Sequence, residues 1–256
     1  MKTLFAFVKK EWMDLVRSGR LMILAILFVL LGILSPAIAK LTPWMMESMG
    51  SAMADTGLVI SAVRVDAMTS WTQFFKNIPI GLIAFVLIQS SIFTKEYQSG
   101  TLVLVLTKGL DRFKVVLAKC GVVTLLWTVG YWLCFGLTWF YTGYYWDNSI
   151  VRNLGAAVLN WWLFGLWVVE AMVLFSTICR NNTGVLMGAG GVVVVSYMLS
   201  MVAKVAPYLP TKLMDGTSLM TGAASPADYR EAVVIVAVMT VAFVVASIPV
   251  MNKRRI

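Results

Sequence analysis

A single carboxylate, Glu170, stands inside the apolar run 156–178, and no other acid shares that run. An ionised carboxylate within lipid is costly, so such a group has to pair, take up a proton or face water. Three roles follow for Glu170: contact with a translocated substrate, proton exchange, or a hinge in a coupling motion. The structural alternative is an acid held by polar contacts nearer one end of a helix bundle. Nothing around it extends to catalysis. Histidine is absent from the chain, which excludes histidine-based metal sites and histidine acid–base chemistry. Serines and acids occur without an arrangement that marks a nucleophile, and the phosphate-loop pattern GxxxxGK[ST] is missing. Cys120, Cys134 and Cys179 fall in or beside apolar runs, so no extracellular disulfide framework is implied. Met45, Met49 and Met53 follow Trp44 at helical spacing. Thioethers bind soft metals, but with no cysteine or histidine beside them packing explains this face better. No catalytic residue and no metal ligand is assigned.

The other concentration of polar chemistry is charge. Residues 94–119 carry Lys95, Lys108, Arg112, Lys114 and Lys119 against Glu96 and Asp111, between the apolar runs 78–93 and 115–141. Cations beside apolar runs mark the cytoplasmic side of a membrane. A short basic loop held between two spans is placed to receive mechanical work from a soluble partner.

These residues need elements to position them. With 60% hydrophobic and only 13% charged residues, the chain has too little charge to cover a soluble surface. Apolar runs at about 21–39, 78–93, 115–141, 156–178, 185–205 and 232–251 approach the roughly 20 residues that cross a bilayer as helix. The fold class is therefore an all-α integral membrane protein with six transmembrane helices in one domain. The formal charge of +9 sits beside these runs, so anionic lipid accounts for it better than nucleic acid. The first run begins at Leu21 and continues past any small-residue cleavage pattern, as a retained span would.

Ahead of it, residues 4–17 place Leu4, Val8, Trp12 and Leu15 on one helical face, flanked by Phe5 and Val16, with Lys9, Lys10, Asp14 and Arg17 around the remainder. Such a helix lies in the cytoplasmic interface, among headgroups, or packs on its own bundle; the two are compatible. Pro36 bends the first span or begins its exit. Gln89, Ser90 and Ser91 should face protein or water. Tyr131, Trp132, Trp139, Tyr141, Tyr144, Tyr145 and Trp146 read as an aromatic interface belt. Gly184 and Gly188 form a small-xxx-small pair that permits close helix contact. Residues 206–231, broken by Pro207, Pro210, Gly216, Gly222 and Pro226 yet oily, suggest broken helices dipping back toward the membrane. Six spans place both termini on one side. The inner regions so defined hold 14 of the 21 Lys and Arg residues, which puts both ends in the cytoplasm of a bacterial cell.

The basic loop also carries a resemblance. Glu96, Gly100, Thr101, Leu102, Leu106, Thr107, Arg112 and Lys119 resemble the E...GTL...L-S/T...R......K pattern of type-2 ATP-binding-cassette permeases. Lys10-Glu11-Trp12 and Ser18-Gly19-Arg20 resemble that family's amino-terminal region, and residues 180–184 its small-residue inner turn. The resemblance spans the whole chain. It implies the type-2 exporter permease fold, with an N-terminal cytoplasmic interfacial helix that includes Lys10, Glu11, Trp12 and Arg17. It also implies a coupling helix after the second span, in which Glu96, Gly100, Thr101, Lys108 and Arg112 meet the ATPase. Two copies of a separate ATP-binding subunit, carrying ATP and Mg, would join two permeases, a homodimer in the simplest case. The route would lie between the permeases, with Glu170, Gly184 and Gly188 as pathway or packing residues. Lys108-Gly109-Leu110 stands where many relatives have a proline-containing turn, a departure in the loop. The alternatives are a secondary transporter that uses an intramembrane acid, and a non-transporting membrane scaffold. No inverted repeat supports the first.

Overall fold

The computed structural model describes residues 2–53, 65–101, 107 and 111–253. Six of its helices are long and apolar enough to cross a membrane, and among the described residues no strand occurs. In chain order the helices are α1 (Lys2–Arg17), α2 (Arg20–Met53), α3 (Ala67–Gln89), α4 (Thr94–Ser99), α5 (Arg112–Tyr145), α6 (Leu154–Ile178), α7 (Asn182–Leu199), α8 (Gly216–Thr221) and α9 (Arg230–Lys253). The spans are α2, α3, α5, α6, α7 and α9.

Three of these helices depart from the bounds read in sequence. First, α2 does not end near residue 39; it passes through Pro36 and Pro43 to Met53. Pro36 has no N–H for the carbonyl of Gly32 four residues back. That oxygen instead accepts from the Thr138 hydroxyl of α5 at 3.0 Å. Gly32 allows the approach, because a Cβ there would meet the Cys134 carbonyl at 2.9 Å. A neighbouring helix thus repairs the proline defect, as membrane bundles commonly require. Trp44 and Met45 accordingly stand exposed on a continuous helix. The side chains of Met49 and Met53 lie outside the described residues.

Second, α3 begins at Ala67, eleven residues before the first residue of the apolar run. Asp66 caps it, accepting from the Thr69 N–H at 3.0 Å, and Trp71, Phe74 and Phe75 bury the added turns. Third, α7 stops at Leu199, and residues 200–205 turn back on themselves through bonds such as Val205 N to Val202 O at 2.9 Å.

Aromatic rings fill the centre of the bundle. Trp127 of α5 touches Phe28 of α2, Phe85 of α3 and Tyr131, with ring centroids 6.0, 5.6 and 5.5 Å away. Tyr131 is wholly buried and donates to the Val158 carbonyl of α6 at 2.8 Å. It therefore belongs to the core and not to the interface belt, whereas Trp139, Tyr144 and Tyr145 remain exposed as a belt requires. Residues 206–231 form short 3-10 turns and α8. They fold inward: Leu213, Leu219, Met220 and Tyr229 are buried, and the Trp161 indole of α6 donates to the Met214 carbonyl at 2.9 Å. The apolar side chains left outward, such as Leu30 and Val238, suit a lipid surround.

Candidate coupling site

The site gathers where α1, α4 and the first turns of α5 meet. On α1, Phe7, Glu11 and Leu15 are buried, with Leu4 and Val8 packed beside them. Successive residues turn by about 100° on a helix, so this stripe faces the bundle while Phe5, Trp12 and Val16 are carried outward. The apolar stripe read in sequence thus divides. Phe7, which that reading passed over, takes the inner place, and Trp12 joins an exposed apolar face. Gly19, at φ 72°, makes the turn into α2, a conformation that side chains with Cβ adopt at a cost.

The α4 helix is short, and Gly100 ends it at φ 67°. The glycine of the loop motif therefore has a backbone reason: a left-handed C-cap. Phe93, just before α4, is fully buried.

Four charges lock these elements together. Lys119 Nζ lies 2.9 Å from Glu11 Oε2 and 3.1 Å from Glu96 Oε2, and donates to the Ile92 carbonyl at 3.0 Å. Lys10 Nζ lies 2.9 Å from Glu11 Oε1 and 2.5 Å from Glu96 Oε1, and 3.1 Å from Asp14. Lys119 is 1% exposed, Glu11 8% and Glu96 12%, against 38% for Lys10. Burying ions costs several kcal/mol each and is offset only where the geometry is good and the remaining donors are satisfied. The arrangement meets that need largely by charge: Lys119 donates to Glu11 Oε2 and the Ile92 carbonyl and pairs with Glu96 Oε2 at 3.1 Å, and two lysines balance Glu11 and Glu96. Partial burial by itself would lower the Lys10 pKa. The hydrogen bond to Glu96 and the field and hydrogen bond of Glu11, with the field of Glu96, outweigh it and hold the ammonium above the ordinary lysine range.

Further bonds spread from α4 across this end of the bundle. The Thr94 hydroxyl donates to Asn182 Oδ1 at the start of α7. The Tyr97 hydroxyl reaches the Met251 sulfur on α9 at 3.2 Å. Arg112 Nη1 donates to the carbonyls of Met251 and Asn252, at 3.1 and 3.0 Å, where cations suit a helix C-terminus. So α1, α4, the start of α5 and the last turn of α9 share one end of the molecule. Of the residues singled out in sequence, this end holds Lys10, Glu11, Glu96 and Arg112 in contact, with Gly100 and Thr101 exposed at the end of α4 and Arg17 exposed on α1. Lys108 lies outside the described residues. Thr94, Tyr97 and Asn182 were missed; their only signal was polarity at the ends of apolar runs.

Glu170 lies apart from this cluster, just over one helical turn further along the α5–α6 contact. It is 3% exposed, and its Oε1 accepts from the Thr124 hydroxyl at 2.5 Å. Its Oε2 accepts no N–H or O–H hydrogen bond, and the Cys120 thiol of α5 is the other side chain that faces the carboxylate. Gly188 receives the Phe175 ring of α6, with a built Cβ only 2.2 Å from Cδ1. Gly184 instead sits in the capping turn of α7, where its N–H donates to Asn181 Oδ1 at 3.0 Å. Among the described residues no cluster of His, Cys, Asp and Glu is arranged to hold a metal.

Six apolar helices, with an amphipathic helix at one end tied by ion pairs to the short α4, define a multi-span helical membrane protein. The chain belongs to the ABC-2 family of transporter proteins: the model of that family, described as "ABC-2 family transporter protein", matches residues 5–254. It is similar to the "Uncharacterized transmembrane protein YxlG" of Bacillus subtilis (strain 168), with 22% identity over 217 residues that cover 83% of each chain. No solved structure matches it significantly.

Proposed function

We propose that this chain is the permease subunit of an ATP-driven exporter, forming half of the translocation pathway and coupled through α4 to a separate ATP-binding subunit. The observation that carries the reading is the charge quartet Lys10, Glu11, Glu96 and Lys119, with Lys119, Glu11 and Glu96 largely buried. It joins α4, with Lys95 and Gln98 exposed, to both the interfacial helix and the third span. A push on α4 is then a push on α1 and α5 together. A ligand or partner shifts a conformational equilibrium only by binding one state better than another; a rigid joint between loop and spans meets that need. By family membership the partner is an ABC ATPase, in two copies that bind ATP and Mg, with a second permease copy across the pathway. The excess of cations at the α1–α4 end supports placing that end on the cytoplasmic side of a bacterial cell membrane.

The test is purification from native membranes with mass spectrometry, followed by ATPase measurement in liposomes. The expected result is an ATP-binding subunit in equal number with the permease, and ATP hydrolysis that responds to added cargo. Transport driven by a proton gradient with no ATPase present would favour a secondary transporter, the reading to which the buried Glu170 carboxylate lends support.

A further inference from the structure

Beside the charge quartet lies a cleft of about 320 Å³ between the α1–α2 turn and the passage from α3 to α4. Three cations line it, Arg17, Arg20 and Lys95. Arg20 is fixed at the wall by donating from Nη2 to the Ser91 hydroxyl at 2.6 Å. Two carboxylates also line it, Asp14 and Glu96. Both are already engaged, Asp14 with Lys10 at 3.1 Å and Glu96 with Lys10 and Lys119 at 2.5 and 3.1 Å. The positive charge of the cleft is therefore not neutralised by its own acids.

A second observation is independent of charge. Gln89, the last residue of α3, also lines the cleft. Its side chain is 0% exposed, and neither Nε2 nor Oε1 has a hydrogen-bond partner. A buried amide in that state is expensive and calls for an explanation. Nothing in the fold of α3 requires glutamine there, since an apolar residue would cap the same face without an orphan donor. An amide N–H beside guanidinium and ammonium groups is the donor set that phosphate oxygens take.

We propose that this cleft binds a phosphate-bearing anion, held by Arg17, Arg20 and Lys95 with the Gln89 amide as the buried donor. The cleft borders the end of the bundle where α1 lies, so a phospholipid headgroup and a soluble phosphate are the two sources of that chemistry. Occupancy would tie the α1–α2 turn to the end of the second span, next to the charge quartet. The inference uses the membrane placement of this end but not the ATPase, so its failure leaves the proposed function intact.

The experiment uses the purified full chain. Native mass spectrometry reads the lipid retained after equilibration with an equimolar mixture of phosphatidylglycerol and phosphatidylcholine, with glycerol 1-phosphate or inorganic phosphate as soluble competitors. The wild type should retain phosphatidylglycerol preferentially. In the double variant Arg17→Gln with Lys95→Gln, retention should fall about fivefold per cation removed. Both side chains are exposed, so the fold should survive. Gln89→Leu should lose the preference while its melting temperature in phosphatidylcholine stays equal or rises. Lys9→Gln, an exposed cation of α1 that does not line the cleft, is the control. Displacement of the lipid by the soluble competitors would identify a soluble phosphate as an alternative source, and resistance to them the headgroup; either supports the site. Equal retention by the wild type and Gln89→Leu, or no preference for phosphatidylglycerol in the wild type, would mean that the Gln89 amide and the cleft hold no phosphate. Equal loss in Lys9→Gln and the double variant would mean diffuse surface charge. Either of these results overturns the proposal.

Discussion

Lys119 on α5 and Glu11 on α1 meet at 2.9 Å with their side chains 1% and 8% exposed. This pair joins the amphipathic α1 to a span across a stretch of chain that includes two other spans. Removing one partner of a buried pair leaves the other charge without compensation. Lys119→Met should therefore destabilise the folded chain by about 3–5 kcal/mol, and combining it with Glu11→Leu should recover part of that loss. Unfolding in detergent for both single variants and the double variant measures the coupling. Additive effects, within about 0.5 kcal/mol, would show that the two residues do not act as a pair.

Lys10 supplies a prediction about pH. Its folded pKa is raised by Glu96 and Glu11 against the opposing effect of burial. A raised lysine contributes stability in full below its unfolded pKa near 10.4 and loses it only as pH rises through the higher folded value. The melting-temperature difference between the wild type and Lys10→Met should then be constant from about pH 6 to 9. A difference that shrinks within that window would show that Lys10 is already losing its proton there.

Arg112 holds the carbonyls of Met251 and Asn252 at the end of α9. Arg112→Ala should release that turn, visible as faster amide exchange over residues 248–252, with insertion unchanged. In the reconstituted complex the same variant should lower cargo-stimulated ATP hydrolysis. Slow exchange in the variant would place the anchoring of α9 elsewhere.

The glycines give a graded series. A Cβ at Gly165 would lie 2.0 Å from the ring of Trp127, which is fully buried, and one at Gly188 2.2 Å from the partly exposed Phe175. Gly165→Ala should cost about 1–3 kcal/mol, as overpacked cores do, and Gly188→Ala less, because Phe175 has room to swing away. Gly190 and Gly191 have nothing within 4 Å, so alanine there should be neutral or stabilise the helix by up to about 1 kcal/mol. Thermal unfolding of the four variants checks the order. If Gly190→Ala weakens only the oligomer, this face of α7 meets a second subunit.

Glu170→Gln retains the shape and the Thr124 contact but removes the charge. If the carboxylate serves cargo or proton passage, transport in liposomes should fall while the amount of assembled complex stays the same. Unchanged transport would return Glu170 to a structural role.

Much of this molecule is legible in sequence because the bilayer imposes a length and a polarity on every span. The six spans, the amphipathic α1, the cationic loop and its neighbouring acids all follow from that constraint. Local pattern fails where a distant residue changes the local cost. Pro36 reads as a bend or the start of an exit, yet Thr138 supplies the hydrogen bond that the Gly32 carbonyl lacks and α2 continues. Trp12 and Leu15 read as one apolar face, yet Glu11 turns inward because Lys119 awaits it. Tyr131 reads as interfacial, yet the Val158 carbonyl satisfies its hydroxyl inside the core. Composition and periodicity thus determined that this chain lives in a membrane, and where its helices run in outline. Which charges meet, and which helix ends they bind together, was decided by tertiary contact, because a buried polar group is stable only beside a partner whose position the sequence does not state.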